Sequence, residues 1–273
     1  MKHLIAYASS AGTTRRAAAM IRDGLAERGV EAELFDLRRY TRGELPAADE
    51  PLCLWIGSPV YAQHPVPYCA AFIKALGAPE GSWCAPFVAW GGVSTGVALE
   101  ELGQAALDAG YNLAGGARVL CAHSNLWREA DRPHDDRPNA QDKALLAELA
   151  GTVVERIEVG EPCDIESMRQ RIPVVLEASA QMSMDKMRTM IPKPELDAAA
   201  CIGCGLCAEE CPAAAITLEG EPPLPHIGPA CVRCRGCVRV CPEGAFLADM
   251  SGAPKHLASL IERFQEPAET TIY

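Results

Sequence analysis

The sequence predicts an α/β chain in two folded parts. A doubly wound, five-stranded parallel sheet is expected over residues 1–158 and a small α+β module over residues 198–250. A helical connector at 159–197 joins them, and a tail covers 251–273. Two observations carry this. Short apolar runs alternate with amphipathic stretches through the first part, the pattern of strands and helices in a parallel sheet covered on both faces. In the second part, eight of the 13 cysteines fall between Cys201 and Cys241 in a repeated array.

Taken in order, strands are expected at 3–8, 31–37, 52–56, 86–90 and 113–121. The third is almost wholly apolar, as a strand buried on both faces should be. Helices are expected at 14–28, ended by Gly29, and at 68–76, 95–109 and 139–157. Right-handed crossovers between successive parallel strands then favour double winding. In the connector, 177–190 reads as one helix whose Met182, Met184, Met187 and Met190 pack on a neighbour. Pro192 and Pro194 end it. The tail is expected to form one short surface helix and then fray.

Bulk properties narrow the function classes. No apolar run approaches the roughly 18 residues of a membrane helix, and the N-terminus reads as a strand, not a leader. A cytoplasmic protein without a membrane span is expected. The net charge of −11 speaks against nucleic acid. It suits either plain solubility or steering toward basic-faced redox partner proteins.

The array Cys201-x2-Cys204-x2-Cys207-x3-Cys211-Pro212 recurs as Cys231-x2-Cys234-x2-Cys237-x3-Cys241-Pro242, offset by 30 residues throughout. Three thiolates on a tight loop wrap one iron–sulfur cube, and in this pattern the fourth ligates the other cube. Cys201, Cys204, Cys207 and Cys241 are therefore expected to hold cluster one, and Cys231, Cys234, Cys237 and Cys211 cluster two. Structural zinc sites more often use two separated pairs. Gly203, Gly205 and Gly236 are expected to supply turn geometry beside the sulfurs. Arg233, Arg235 and Arg239 beside the second array predict a higher reduction potential for cluster two, since positive charge stabilises the more negative reduced form. The segment resembles bacterial two-cluster ferredoxins, with all eight ligand positions matching. The remaining cysteines (Cys53, Cys69, Cys84, Cys121, Cys163) read as small apolar side chains.

The first strand runs into Ser9-Ser10-Ala11-Gly12-Thr13-Thr14 and a helix. Hydroxyls and a glycine at a helix N-terminus make an anion site, although an ordinary capped helix has the same look. The loop lacks a Walker lysine and the three glycines of a dinucleotide fingerprint. Here the chain resembles the flavodoxin family: Tyr7, Ser9, Gly12, Thr14, Ala18 and Ile21 sit at positions of its FMN phosphate motif, with Ala6 and Ala11 departing from it. The resemblance implies FMN held by Ser9, Ser10, Gly12, Thr13 and Thr14. It also implies two loops bracketing the ring, one with Ser58, Pro59, Val60 and Tyr61, the other with Trp90, Gly91, Gly92 and Gly96. Tyr61 would stack on the ring, and Trp127 or His123 would cover it.

Together the two halves resemble the flavodoxin–ferredoxin fusion family. That implies electron transfer between FMN and two [4Fe–4S] clusters, and on to redox partners. The alternative is an FMN-dependent reductase of a quinone or other small organic acceptor, with a pocket over the flavin and a proton donor such as His123 or His64. The sequence leaves the choice between carrier and enzyme open, and also the partner, the direction of flow and the oligomeric state.

Overall fold

A computed structural model of the chain describes residues 1–129 and 131–273. The first part contains β1 (Lys2–Tyr7), α1 (Thr13–Ala26), β2 (Ala32–Asp36), the single turn α2 (Leu37–Tyr40), β3 (Leu52–Tyr61), β4 (His64–Pro65), α3 (Pro67–Leu76), β5 (Trp83–Trp90), α4 (Ala98–Asp108), β6 (Asn112–Leu113), β7 (Ala117–Leu120) and α5 (Ala140–Val159). The connector contributes α6 (Pro173–Gln181) and α7 (Met184–Met190). The cysteine-rich module contains β8 (Glu195–Leu196), α8 (Leu206–Glu209), β9 (Ile216–Glu219), β10 (Leu224–Ile227), α9 (Gly236–Val240) and β11 (Phe246–Leu247). The tail forms α10 (Ala253–Phe264) and β12 (Thr271–Ile272).

The main sheet runs β12-β7-β5-β3-β1-β2. Its parallel body, β2-β1-β3-β5-β7, has the doubly wound order of flavodoxin-like sheets, which bind ligands outside the carboxyl ends of the strands. Alternation along each strand divides the core. Leu4 and Ala6 of β1, with Leu52, Leu54 and Ile56 of β3, face α3 and α4. Ile5, Tyr7, Cys53 and Trp55 face α1 and α5. There α1 and α5 touch closely, since a Cβ on Gly24 would stand 2.8 Å from the Ala147 Cα.

Three expectations need correction. The fifth strand is broken: β6 and β7 are separated at Gly115, whose φ of +150° and place beside the Tyr273 carbonyl leave no room for a side chain. The connector helix is two helices, because Ser183 is extended and caps α7 by accepting from the Lys186 N–H at 3.1 Å. The tail does not fray. β12 pairs antiparallel with β7, and the Thr270 hydroxyl accepts from the Leu120 N–H at 3.0 Å. The sheet therefore carries an antiparallel edge strand beyond the five parallel ones.

The cysteine-rich module has its own small core of Cys207, Ile216, Ile227, Val238 and Phe246. It docks on the first part through polar contacts. Arg38 pairs with Glu210, and Arg42 donates to the carbonyls of Ala208 and Glu209 at 2.7 Å. The Thr41 hydroxyl donates to the Pro212 carbonyl at 3.3 Å.

Candidate functional site

At the carboxyl ends of β1, β3 and β5 lies a cavity of about 490 Å³. On one side is the N-terminus of α1. Gly12 precedes it at φ +86° and offers no capping side chain, and its first turn holds no acidic residue. Apart from the Arg15 N–H, its first amide groups and its dipole are left to an anion. Ser10, Thr13 and Thr14 line the cavity, while the Ser9 hydroxyl accepts from the Arg15 N–H at 3.2 Å.

The second wall is the turn after β3. Ala62 and Gln63 have φ of +53° and +73°, and β3 returns at once as β4. The third is the loop after β5. The two are joined, since the Val97 N–H donates to the Gln63 carbonyl at 2.9 Å and a Cβ on Gly96 would collide with that carbonyl. Pro59, Val60, Tyr61, Trp90 and Gly91 line the cavity. Ser58 lies behind it, fully buried, its hydroxyl accepting from the Val66 N–H at 2.9 Å. Gly92, at φ +76°, packs against His134. Ser9, Gly12, Ser58, Gly92 and Gly96 thus shape the loops without lining the cavity.

Among the described residues, three buried polar atoms belonging to cavity-lining residues have no partner: Gln63 Oε1, Trp90 Nε1 and Asn125 Oδ1. A buried unpaired polar atom costs roughly 1–3 kcal/mol, so a ligand that brought both donors and acceptors to them would relieve that cost. Loop polarity alone gives no sign of Gln63 and Asn125. His123 also lines the cavity. Burial pulls its pKa down to about 4, and its Nδ1 accepts from the Asn125 N–H at 3.2 Å, which leaves a neutral ring with its proton on Nε2.

The cavity is roofed by parts of the chain outside the sheet. Met182, Met187, Met190 and Ile191 come from the connector, and Leu257 and Leu260 from α10. Of the four methionines read as packing residues, Met182, Met187 and Met190 pack over this site, and Met184 does not line it. His64 fixes the roof: its Nδ1 meets the Glu101 carboxylate at 2.9 Å, and its Nε2 meets the carbonyls of Ser179 and Met182 at 3.2 and 3.0 Å. The bond to Glu101 raises the His64 pKa. Trp127 does not cover the cavity. It packs on the cysteine-rich module, beneath the Arg239 guanidinium 5.1 Å from its ring centre.

The eight cysteines fall into two groups. Cys201, Cys204, Cys207 and Cys241 line one small cavity, and Cys211, Cys231, Cys234 and Cys237 another, each of about 20 Å³. Among the described residues no three His, Cys, Asp or Glu side chains converge on a single ion. Each quartet instead lines a space of its own. The repeat persists in detail: Ala215 N–H donates to Cys211 Sγ and Ala245 N–H to Cys241 Sγ, both at 3.3 Å. Gly203 and Gly205 take φ of +66° and +77°. In the second array the same two positions are Arg233 and Arg235, at +57° and +58°. Gly236 is not the left-handed residue. It lies between the two sites, since a Cβ there would make ordinary contacts with Cys234 Sγ at 3.6 Å and the Ser10 carbonyl oxygen at 3.7 Å.

That contact joins the two sites. Arg239 crosses the same junction and donates to the carbonyls of Ser10 and Ser124 at 3.3 and 3.0 Å. The Ser10 hydroxyl bonds the Tyr61 hydroxyl at 2.6 Å. Burial, reinforced by the nearby Cys234 sulfur, pushes the Tyr61 pKa to about 12. Burial likewise raises Cys234 to about 11 and Cys237 to about 12. Those sulfurs lose their protons when a metal takes them up.

Residues 178–246 match the family of 4Fe-4S dicluster domains, beginning within α6. None of the curated proteins matches the chain. Similar solved structures include the rubredoxin:oxygen oxidoreductase of the anaerobe Desulfovibrio gigas, with 16% identity, 58% of this chain and 36% of that chain covered, and a TM-score of 0.44. A flavodoxin from the Archaea has 17% identity over 58% of this chain and 99% of its own, at a TM-score of 0.42. Oxidised flavodoxin 1 of Bacillus cereus has 16% identity over 57% and 98%, at 0.43. The chain thus spans about a third of the length of the first of these. The dicluster match supports a redox, electron-transfer role.

Proposed function

We propose that the protein is an internal electron-transfer unit, with FMN in the roofed cavity and two [4Fe–4S] clusters in the cysteine-lined ones. Such groups, when bound, exchange electrons in pairs at the flavin and singly at each cube. The observation that carries the reading is the abutment of the two sites at Gly236, Ser10 and Arg239, where the chain closes the space between the Cys234 sulfur and the anion-binding loop. In this reading the α1 N-terminus with Thr13 and Thr14 holds the phosphate. Gln63, Trp90 and Asn125 satisfy the polar edge of the ring, and Tyr61 packs beside it. Cys201, Cys204, Cys207 and Cys241 hold the first cluster, and Cys211, Cys231, Cys234 and Cys237 the second. Ser9, Gly12, Ser58, Gly92 and Gly96 set the backbone of the loops.

The test is anaerobic reconstitution followed by iron and flavin quantification. About eight iron and one FMN per chain are expected. Gln63→Ala with Asn125→Ala should weaken FMN binding by about tenfold or more, at roughly 1 kcal/mol or more per lost hydrogen bond. Protein that takes up iron but no FMN overturns the flavin half of the proposal.

A second reading, reduction of a small apolar acceptor such as a quinone, has one observation in its favour. The roof of Met182, Met187, Met190, Leu257 and Leu260 forms a flexible apolar surface of the kind that adapts to small ligands. His123 then holds a proton on Nε2 at the cavity wall, whereas His64 is committed to the roof. Steady turnover of a soluble quinone that falls with His123→Phe, while FMN content is retained, would favour this reading.

A further inference from the structure

Three places would let an external partner reach a redox site, and they differ in what lies over them. The flavin cavity is roofed by the connector and α10. The second cysteine array is turned inward: Cys234 is buried, Gly236 sits against Ser10, and Arg233 and Arg239 are spent on carbonyls of the connector and the first part. The first array has the most exposed of the eight array cysteines. Cys204 is exposed, and Ile202 beside it is 65% exposed.

The surroundings of that edge are specific. The β9–β10 hairpin leans on the array-one loop, since Cβ atoms on Gly203 and Gly205 would lie 3.1 Å from the Pro223 carbonyl and 3.3 Å from Leu218 Cδ1. This sets the half-exposed Leu218 next to Ile202 as an apolar spot. Glu219 and Glu221 are exposed at the turn of that hairpin, and Glu243 lines the array-one cavity from the other side. No Lys or Arg occurs from residue 194 to 232, a stretch holding six acidic residues. Lys193 is spent on the Ile227 carbonyl at the base of the hairpin, at 2.6 Å, and Arg38 and Arg42 bind Glu210 and the α8 carbonyls at the junction with the first part. Nothing among these groups neutralises Glu219, Glu221 or Glu243.

We propose that this edge is the port for a protein partner, and that the partner is a small one-electron carrier protein with an apolar spot ringed by Lys and Arg. The proposal rests on the reading of array one as a cluster site. Acidic groups around an apolar centre steer a basic partner and orient it on contact. Each encounter moves one electron and no proton.

The experiment uses iron-replete protein, its metal content measured first, and a lysine-rimmed c-type cytochrome as probe. Binding is followed by calorimetry at low salt. The protein is then reduced with dithionite and freed of excess. Mixing with the ferric cytochrome takes its haem iron to ferrous while the protein is oxidised by one equivalent. Glu219→Lys with Glu221→Lys and Glu243→Lys should weaken binding and slow the second-order rate by tenfold or more, within the range that electrostatic steering spans. The same charge change on α5, made as Glu148→Lys with Glu155→Lys and Glu158→Lys, should alter both by less than twofold. Equal effects of the two sets would mean that net charge alone acts, and no effect of either would remove the port; each overturns the proposal. Protein that never takes up iron fails the underlying reading instead, and the calorimetric comparison still reports on the patch by itself.

Discussion

The two cysteine arrays repeat each other at an offset of 30 residues, yet the protein uses them differently. Backbone and ligands are copied: left-handed residues at equivalent positions, an amide donating to each fourth sulfur, a short helix after each loop. The surroundings are not. Array one has glycines at its left-handed positions, an exposed Cys204 and an acidic rim. Array two has arginines there, a buried Cys234 and a junction with the roofed cavity. A duplicated motif therefore fixes what is bound, and the residues between the cysteines fix what each copy faces.

The strongest way to break the comparison is to remove one shared ligand at a time. Cys211 lies in the sequence of array one but lines the cavity of array two, and Cys241 does the reverse. Cys211→Ala should therefore cost the buried cluster and Cys241→Ala the exposed one, each lowering iron content by about half. EPR of the reduced proteins separates them. Loss of the exposed cluster from Cys211→Ala would refute the crossed assignment.

Much of this was legible beforehand, for physical reasons that differ by region. Alternating and continuous apolar runs such as Leu52–Ile56 announce a buried parallel strand, and eight cysteines at fixed spacing announce two cysteine-lined cavities. The roof was not legible. Met182, Leu257 and Leu260 carry ordinary helical patterns, and only tertiary packing decides that they close a cavity instead of meeting solvent. β12 is two residues long in a polar stretch, too short for periodicity to register. Gln63 and Asn125 look like any loop amides until their oxygens are found buried without partners.

A smaller effect separates the roofed cavity from the open array-one edge. With its pKa raised, His64 contributes stability that is fully present below its unfolded value near 6.5 and is lost as pH rises through the higher folded value. Below that range both ring nitrogens carry protons, one for Glu101 and one for the connector carbonyls; above it one bond is lost. The pair is partly exposed, so the effect is about 0.5–1 kcal/mol. FMN release should therefore quicken about two- to fivefold as pH rises through the transition. His64→Gln should abolish that pH dependence. A wild-type release rate that is flat across the same range would show that His64 does not hold the roof.

The smallest effect tests why array two keeps arginine where array one has glycine. A left-handed conformation costs a residue with a Cβ roughly 1–2 kcal/mol, and glycine's extra freedom in the unfolded chain offsets 0.5–1 kcal/mol of any gain. Arg235 makes no side-chain hydrogen bond among the described residues, and its guanidinium interacts with Cys237 and Asp249. Arg235→Gly should therefore stabilise the fold by up to about 1 kcal/mol, or about 2–4 °C in Tm. It also removes a positive charge beside the buried cluster, so the potential of that cluster should fall while the exposed one stays unchanged. A variant more stable but lower in potential would show that the strained arginine is kept for its charge. If stability rises and neither potential moves, the higher potential expected for cluster two does not come from Arg235, and Arg239 at the junction becomes the group to remove.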